Sequence, residues 1–191
     1  MELIEGAPIP GVRILVSAVH HDARGHVIEG WRASDDLPGT AFVQDNFASS
    51  RRGVVRGLHY QLPGAQGKLV RAITGTVWDV VVDLRRASRT FGRWAAVRLV
   101  GGDGRALWVP PGLAHGFVVC SERADVAYKL TAPRMPEAER VLRWDDPTLG
   151  IPWPQVGEPI LSLRDRDAPG FADVPVFDPD MPGGEVEEAP G

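Results

Sequence analysis

The sequence contains 191 residues, 43% of them apolar, which is enough for one well-buried core but short for two full-sized domains. Its 25 acidic residues outnumber its 21 Lys and Arg residues, and the net charge of −4 excludes a general attraction to nucleic acid or to a membrane surface. No run approaches the roughly 18 apolar residues of a membrane span, and the first residues lack the features of a signal peptide, so we expect a cytoplasmic protein.

Short apolar and alternating runs recur along the chain and predict strands rather than helices. In chain order they cover residues 12–19, 27–31, 41–46, 54–60, 68–73, 77–84, 94–100, 106–109, 116–120 and 126–131. Turn-forming segments such as 74–76, 101–104 and 110–112 separate them, at the spacing of roughly 8–12 residues that is typical of sandwiches and barrels. The pattern predicts an all-β fold, in which residues 136–140 are the best candidate for a short helical turn.

Two carboxylates lie within the most apolar predicted strand, residues 77–84. Because side chains alternate along a strand, Asp79 and Asp83 share one face, while Trp78, Val80 and Val82 occupy the other. The sequence leaves open whether Asp83 lies on a solvated face or inside a polar cavity.

The end of the chain has a different composition. From residue 173 onward it is acidic, rich in Pro and Gly, and without periodicity. Such a segment buries too little apolar surface to offset its ordering entropy. We therefore predict one domain over residues 1–172 and a poorly ordered tail over residues 173–191.

The histidines do not follow the pattern of a metal site. Metal-binding barrels of the cupin type place two histidines one residue apart on a strand, followed by a glutamate and a further histidine. Here residues 57–61 supply only His59, and position 61 is Gln. His20 and His21 are adjacent, so they point to opposite faces of a strand and are interpreted as surface residues.

Nucleophilic and nucleotide-hydrolysing chemistry also lack sequence support. The chain has no nucleophile-elbow, phosphate-loop or dinucleotide-binding motif. The single cysteine, Cys120, follows an apolar run and is interpreted as a small buried side chain. Acid-base chemistry remains, and residues 51–71 concentrate polar side chains around His59, although taken alone this histidine fits a structural role better than a catalytic one.

Six motifs in one order carry a family resemblance. They are FVQDN at 42–46, GVVRGLHYQ at 53–61, QGKLVR at 66–71, VDLR at 82–85, PGLAHGF at 111–117 and RWDDP at 143–147. Across residues 10–170 the sequence resembles the dTDP-4-dehydrorhamnose 3,5-epimerase family. The resemblance implies a cupin-type jelly-roll barrel, a homodimer, a nucleotide-sugar substrate, and a reaction that requires neither metal nor another cofactor.

The resemblance also implies roles for individual residues. His59 matches the catalytic base, Tyr128 the acid on the opposite side of the sugar, and Asp165 the carboxylate that pairs with the base, while Lys68 matches an active-site position that stabilises an enolate. The positions matched to contacts with the substrate are Arg24, Glu29, Gln44, Asn46, Arg56, Asp83, His115, Arg134, Glu139 and Arg164.

Two departures from the family pattern keep alternatives open. Thr131 is followed by Ala132, Pro133 and Arg134 where the family commonly has aromatic residues that stack on the nucleobase; a guanidinium can also lie over a base. At 24–27 the sequence reads RGHV, which removes another aromatic residue. A cupin that only binds a small sugar or natural product, and a metal-dependent cupin enzyme, are the competing hypotheses.

Overall fold

The computed structural model describes residues 4–33, 37 and 39–180. Its strands are β1 (Glu5–Gly6), β2 (Arg13–Val16), β3 (Val19–Asp22), β4 (Gly25–Ile28), β5 (Gln44–Arg51), β6 (Val55–Gln61), β7 (Lys68–Thr74), β8 (Thr76–Asp83), β9 (Trp94–Val100), β10 (Arg105–Val109), β11 (Leu113–Val119), β12 (Arg123–Leu130) and β13 (Glu139–Val141). The one helix within these residues, α1, spans Leu163–Arg166. The all-β prediction is confirmed.

The strands form two antiparallel sheets and a separate hairpin. The six-stranded sheet has the order β1-β9-β8-β11-β6-β13, and the five-stranded sheet has the order β2-β10-β7-β12-β5. The β3–β4 hairpin stands apart as a two-stranded sheet. Between the two large sheets lies an apolar core to which both contribute, including Val70, Val81, Leu107, Phe117 and Val126.

A second core covers the outer face of the six-stranded sheet. Trp78, Val80 and Val82 of β8 belong to it, whereas Val77 and Val81 belong to the core between the sheets. The alternation predicted for this strand is therefore present. Because both faces of β8 are covered, Asp79 and Asp83 are both completely buried, and neither lies on a solvated face.

Four tryptophans meet in this outer core. The ring of Trp78 contacts those of Trp94 and Trp153, with centroid distances of 6.3 and 5.4 Å, and Trp144 lies 5.6 Å from Trp153. Strands β8 and β9 supply the first two rings, and the segment after β13 supplies the others. The tryptophans thus join the sheet to the chain that crosses it.

The predicted end of the domain at residue 172 is wrong. Val174, Val176 and Phe177 are buried in the outer core, and the Phe177 amide donates to the Leu84 carbonyl oxygen. The Tyr60 hydroxyl donates to the Pro175 carbonyl oxygen at 2.5 Å. These apolar side chains occur within an acidic, proline-rich stretch, and its average composition predicted a poorly ordered tail although a few of its residues pack in the core. The remaining part of the predicted tail, 181–191, lies outside the described residues.

The short turn predicted over residues 136–140 is present only in part. Residues 136–138 form a turn, and Glu139 starts β13, which pairs with β6 through Glu139 and Gln61. Pairing to an available sheet edge overrides the weak local preference for a helix. Helix α1 forms instead after Ser162. No helix in the described part of the chain is long and apolar enough to cross a membrane.

Candidate active site

A cavity of about 340 Å³ opens between the two large sheets, a size suited to a small ligand. Strands of both sheets, β13, α1 and the loops beside them contribute to its walls. Its lining residues are Asn46, Arg56, His59, Tyr60, Gln66, Lys68, His115, Phe117, Tyr128, Leu130, Arg134, Glu139, Arg140, Ser162, Arg164 and Asp165.

The alternation of the strands directs polar side chains into this cavity. On β6, Leu58 and Tyr60 pack into the outer core, so His59 between them faces inward. On β11, His115 is the direct cross-strand partner of His59. Lys68 on β7 and Tyr128 on β12 enter from the five-stranded sheet. The cavity is thus lined by histidines from one sheet and by a lysine and a tyrosine from the other.

His59 forms a close pair with Asp165. The distance between His59 Nε2 and Asp165 Oδ1 is 2.6 Å, and the Asp165 side chain is only 5% exposed, whereas the imidazole is 42% exposed. Burial would raise the pKa of Asp165, but the hydrogen bonds from His59 and Ser162 outweigh it and bring that pKa below its usual value. An ionised carboxylate only accepts hydrogen bonds, so the Nε2 that faces Asp165 carries a proton, and in the neutral form of the ring Nδ1 keeps a free lone pair.

A second pair lies deeper. His115 Nε2 lies 2.9 and 3.1 Å from the two oxygens of Asp79, which is completely buried. Burial lowers the pKa of His115, and attraction to Asp79 opposes that shift. The imidazole is therefore neutral near pH 7, with Asp79 fixing its orientation.

Lys68 completes this buried polar group. Its ammonium donates to the backbone carbonyl oxygen of His59 at 3.1 Å, and the residue is 6% exposed. Burial lowers the pKa of Lys68 to about 8, although Asp79 and Glu139 both attract the charged form. At pH 7 the side chain is still mostly a cation, and because it is desolvated it is available to interact with an anionic group in the cavity.

The Tyr128 hydroxyl is available for a ligand. Tyr128 is half-buried on β12, and its ring packs at the edge of the core between the sheets. Within the described ranges, no hydrogen bond engages its hydroxyl. Its cross-strand partners are Asn46 on β5 and Val70 on β7.

Arginines flank the mouth of the cavity. Glu139 accepts two hydrogen bonds from the Arg134 guanidinium, at 2.7 and 2.9 Å, and one from Arg164 at 2.8 Å. The Arg134 hydrogen bond, which outweighs partial burial, lowers the pKa of Glu139 to about 2. Arg56 lies on the wall, with its Nε bonded to Ser50 Oγ. The mouth is therefore suited to an anionic ligand.

Most of the residues matched to the family lie together here. His59, Lys68, Tyr128, Asp165, Asn46, Arg56, His115, Arg134, Glu139 and Arg164 all line the cavity. Gln44 lies beside it: its side-chain amide donates to Asn46 Oδ1 and its carbonyl accepts from the Arg134 amide. In the part of the chain that the structure describes, no three His, Cys, Asp or Glu side chains form a metal-binding group.

Asp83 is not a cavity residue. Its oxygens accept hydrogen bonds from Arg85, Ser88 and Thr90, which fold the turn after β8 around it. Asp79 is the acidic residue that reaches the site through His115. Sequence analysis identified both carboxylates on one face but selected Asp83, which does not line the cavity. The signal that was missed is that Asp79 lies mid-strand, whereas Asp83 ends the strand beside turn-forming residues.

Arg24 and Glu29 lie away from the cavity. Arg24 pairs with Asp22 in the exposed β3–β4 hairpin. Glu29 pairs with Arg32 and borders a groove that also includes Trp31, on the other side of the five-stranded sheet. Within one chain, neither residue contributes to the site.

Residues that sequence analysis did not select also line the site. They include Gln66, whose amide donates to the Ala132 carbonyl oxygen, and Ser162, which precedes α1. Gln66 lies in a matched motif, and Ser162 precedes Asp165 by three residues, the spacing of a helix cap. Both could have been selected from these positions.

Comparison with known proteins gives a consistent result. The family model described as dTDP-4-dehydrorhamnose 3,5-epimerase matches residues 6–173. A protein of that name from Pseudomonas aeruginosa is 50% identical over 173 residues, which are 88% of this chain and 96% of the relative.

Solved structures agree in fold. The 3,5-epimerase from Legionella pneumophila in complex with dTDP-4-keto-L-rhamnose has a TM-score of 0.84 and 41% identity, covering 90% of this chain and 95% of that one. A 3′-monoepimerase from Streptomyces bikiniensis in complex with dTDP-quinovose has a TM-score of 0.81 and 35% identity, covering 87% and 86%. The likeness confirms the expected cupin-type fold.

Proposed function

The chain belongs to the dTDP-4-dehydrorhamnose 3,5-epimerase family and is thus an isomerase, and from this premise we propose that it inverts C3, C5 or both carbons of a dTDP-4-keto-6-deoxyhexose. The observation that carries the proposal is the pairing of His59 with Asp165 on one side of a cavity that Tyr128 lines from the opposite sheet. The C4 ketone acidifies the protons on both neighbouring carbons. Inversion needs a base on one face of the sugar and an acid on the other.

His59 is the proposed base. Asp165 holds the Nε2 proton, so the Nδ1 lone pair is free to remove a proton from carbon. The imidazolium that forms is stabilised by the same carboxylate, much as in other histidine–carboxylate pairs. The partial exposure of His59 allows contact with a substrate, whereas Asp165 is shielded from water.

Lys68 is the proposed partner of the enolate. Removal of the carbon proton moves negative charge onto the C4 oxygen, and a buried cation stabilises that charge more strongly than an exposed one. His115 lies beside Lys68 with its Nε2 on the Asp79 carboxylate; when the proton of the neutral ring is directed at that carboxylate, no second N–H remains to donate into the cavity. Lys68 therefore provides most of the positive charge at this end of the cavity.

Tyr128 is the proposed acid. A phenol delivers a proton to carbon from the face opposite His59, and its hydroxyl has no competing protein partner among the described residues. When the new proton comes from the opposite face, the carbon changes configuration; without that proton, the carbon only exchanges its hydrogen with solvent. This division of roles favours a catalyst over the alternative of a cupin that only binds sugar, because binding does not require an oriented base.

The arginines at the mouth are the proposed contacts to the nucleoside diphosphate. Arg56 and Arg164 provide charge for phosphoryl oxygens, and Asn46 provides hydrogen-bonding groups beside them. Arg134 presents a guanidinium whose edge is fixed by Glu139, which leaves its planar face for a nucleobase. The ligand-bound relatives carry dTDP-sugars, in agreement with this proposal.

The chain is also proposed to form a homodimer. Phe47 and Val43 on or beside the edge strand β5, together with Val16 and Ile73, leave apolar side chains exposed on the five-stranded sheet. A monomeric mass by light scattering at micromolar concentration would exclude this assembly.

Solvent deuterium exchange tests the reaction. The protein is incubated in D₂O with dTDP-4-keto-6-deoxyglucose, and NMR follows deuterium at C3 and C5 together with the configuration of each carbon. We expect incorporation and inversion at one or both positions. Binding of the nucleotide sugar without any exchange would instead support the binding-only alternative.

A further inference from the structure

We propose that Ser162 is a positioning residue for the His59–Asp165 pair, an inference that rests on the proposed function. Ser162 is the N-cap of α1, with an extended backbone (φ −67°, ψ 161°). Its Oγ accepts a hydrogen bond from the Asp165 amide at 3.1 Å. The capped amide thus belongs to the residue whose carboxylate holds the proposed base.

Helix α1 has few anchors besides this cap: Asp165 pairs with His59, and Arg164 pairs with Glu139. Four residues form too short a helix to be stable alone. Leu163 is 71% exposed, so burial of an apolar side chain does not anchor the first turn. The backbone of Ser162 adds a further link, since its carbonyl oxygen accepts from the Arg166 amide at 3.0 Å. Ser162 therefore fixes both the start and the direction of the turn.

The position of this turn sets the geometry of the pair. Asp165 is the buried residue of α1, and its Oδ1 lies 2.6 Å from His59 Nε2. A small rotation of the turn would lengthen that hydrogen bond and release the imidazole from the orientation that Asp165 gives it. Misplacement of a reacting group by a fraction of an ångström lowers turnover more than binding.

The experiment compares Ser162→Ala, Ser162→Thr and a matched control. Threonine keeps an oxygen that can cap, whereas alanine does not. The control is Ser121→Ala, because Ser121 Oγ also accepts a backbone amide hydrogen bond, from Thr76, but at a turn that does not line the cavity. Two quantities are measured: the ¹⁵N signals of the His59 ring without substrate, and kcat and KM for deuterium exchange.

Ser162→Ala is expected to lower kcat about fivefold with little change in KM, the factor that corresponds to loss of a typical serine cap. The Nε2–H signal of His59 should broaden or shift. Ser162→Thr should restore both quantities, and Ser121→Ala should change neither. An unchanged His59 signal together with unchanged kcat in Ser162→Ala would overturn the proposal, as would a rise in KM alone, which would make Ser162 a substrate contact.

The two proposals fail in different ways. If the wild-type protein exchanges no deuterium, the proposed function is wrong. The substrate-free ring signals of His59 still decide the role of Ser162, because they depend only on whether the cap orients Asp165.

Discussion

His59 and His115 are direct cross-strand partners on β6 and β11, yet each imidazole is held by a different carboxylate. Asp165 reaches His59 from α1, and Asp79 reaches His115 from β8. The two pairs differ in burial, since His59 is open to the cavity and His115 is 6% exposed. This asymmetry supports our proposal that His59 transfers the proton while His115 forms a fixed polar wall.

Replacement of His59 by alanine is expected to abolish deuterium exchange at every carbon that the wild type exchanges, a loss of about 10²-fold or more, because the proposed base is removed. His21→Ala is the control, since His21 is exposed in the β3–β4 hairpin. Near-normal incorporation of deuterium by the His59 variant would remove this residue from the mechanism.

Tyr128→Phe is expected to retain deuterium incorporation while losing most inversion, by about 100-fold, because only the phenolic proton donor is lost. The ring is kept, so packing changes little. NMR measures both quantities in one sample. Equal loss of exchange and inversion would mean that Tyr128 also assists enolate formation.

Asp79 and Asp83 offer a matched pair of Asp→Asn changes on one strand. Asp79→Asn is expected to lower kcat about tenfold or more because His115 loses the partner that orients it. Asp83→Asn should instead lower the melting temperature, since it breaks a buried ion pair with Arg85, while kcat of the folded protein stays within about twofold. The reverse result would support the original assignment of Asp83 to the site.

The rate of enolate formation is expected to fall as the pH rises through about 8. Burial lowers the pKa of Lys68 to about 8, and the group is cationic below that value and neutral above it. Loss of the cation removes stabilisation of the enolate, so the activity is present at lower pH and lost at higher pH. The pH dependence is measured as deuterium incorporation by Tyr128→Phe, because this variant has no phenol at position 128. In the additional variant Lys68→Met, the fall in rate above pH 8 should disappear.

Phe177→Ala is expected to lower the free energy of unfolding by about 3–5 kcal/mol because a fully buried ring leaves a cavity in the outer core. Leu163→Ala is the control, as its side chain is 71% exposed. Urea denaturation measures both. A change at Phe177 no larger than that at Leu163 would contradict the packing of this segment against the sheet.

The sequence was most informative where side chains alternate along long strands. Alternation on β8 correctly separated Trp78 and Val80 from Asp79. The family resemblance placed His59 and Lys68 in one site, and both line the same cavity. Local patterns do not specify the contacts made beyond the end of a strand, so Asp83 was selected, although Asp79 is the carboxylate that contacts a cavity residue, His115. Local patterns also missed the burial of Phe177, because a short apolar segment is recognised as part of the core only when the sheet that it packs against is known. Arg24 and Glu29 were matched by motif alone, and one chain does not bring them to the cavity.

The four tryptophans that join the six-stranded sheet to the crossing chain also make this molecule an optical reporter of its own folding. Their indole rings lie 5.4–6.3 Å apart by centroid, close enough to transfer excitation among themselves. They pack on the face of the sheet that points away from the cavity, with Val174 and Phe177 in the same core. The emission of these four rings therefore reports separation of the crossing chain from the sheet, whereas the protein's other two tryptophans, Trp31 and Trp108, pack in a separate cluster with Leu69.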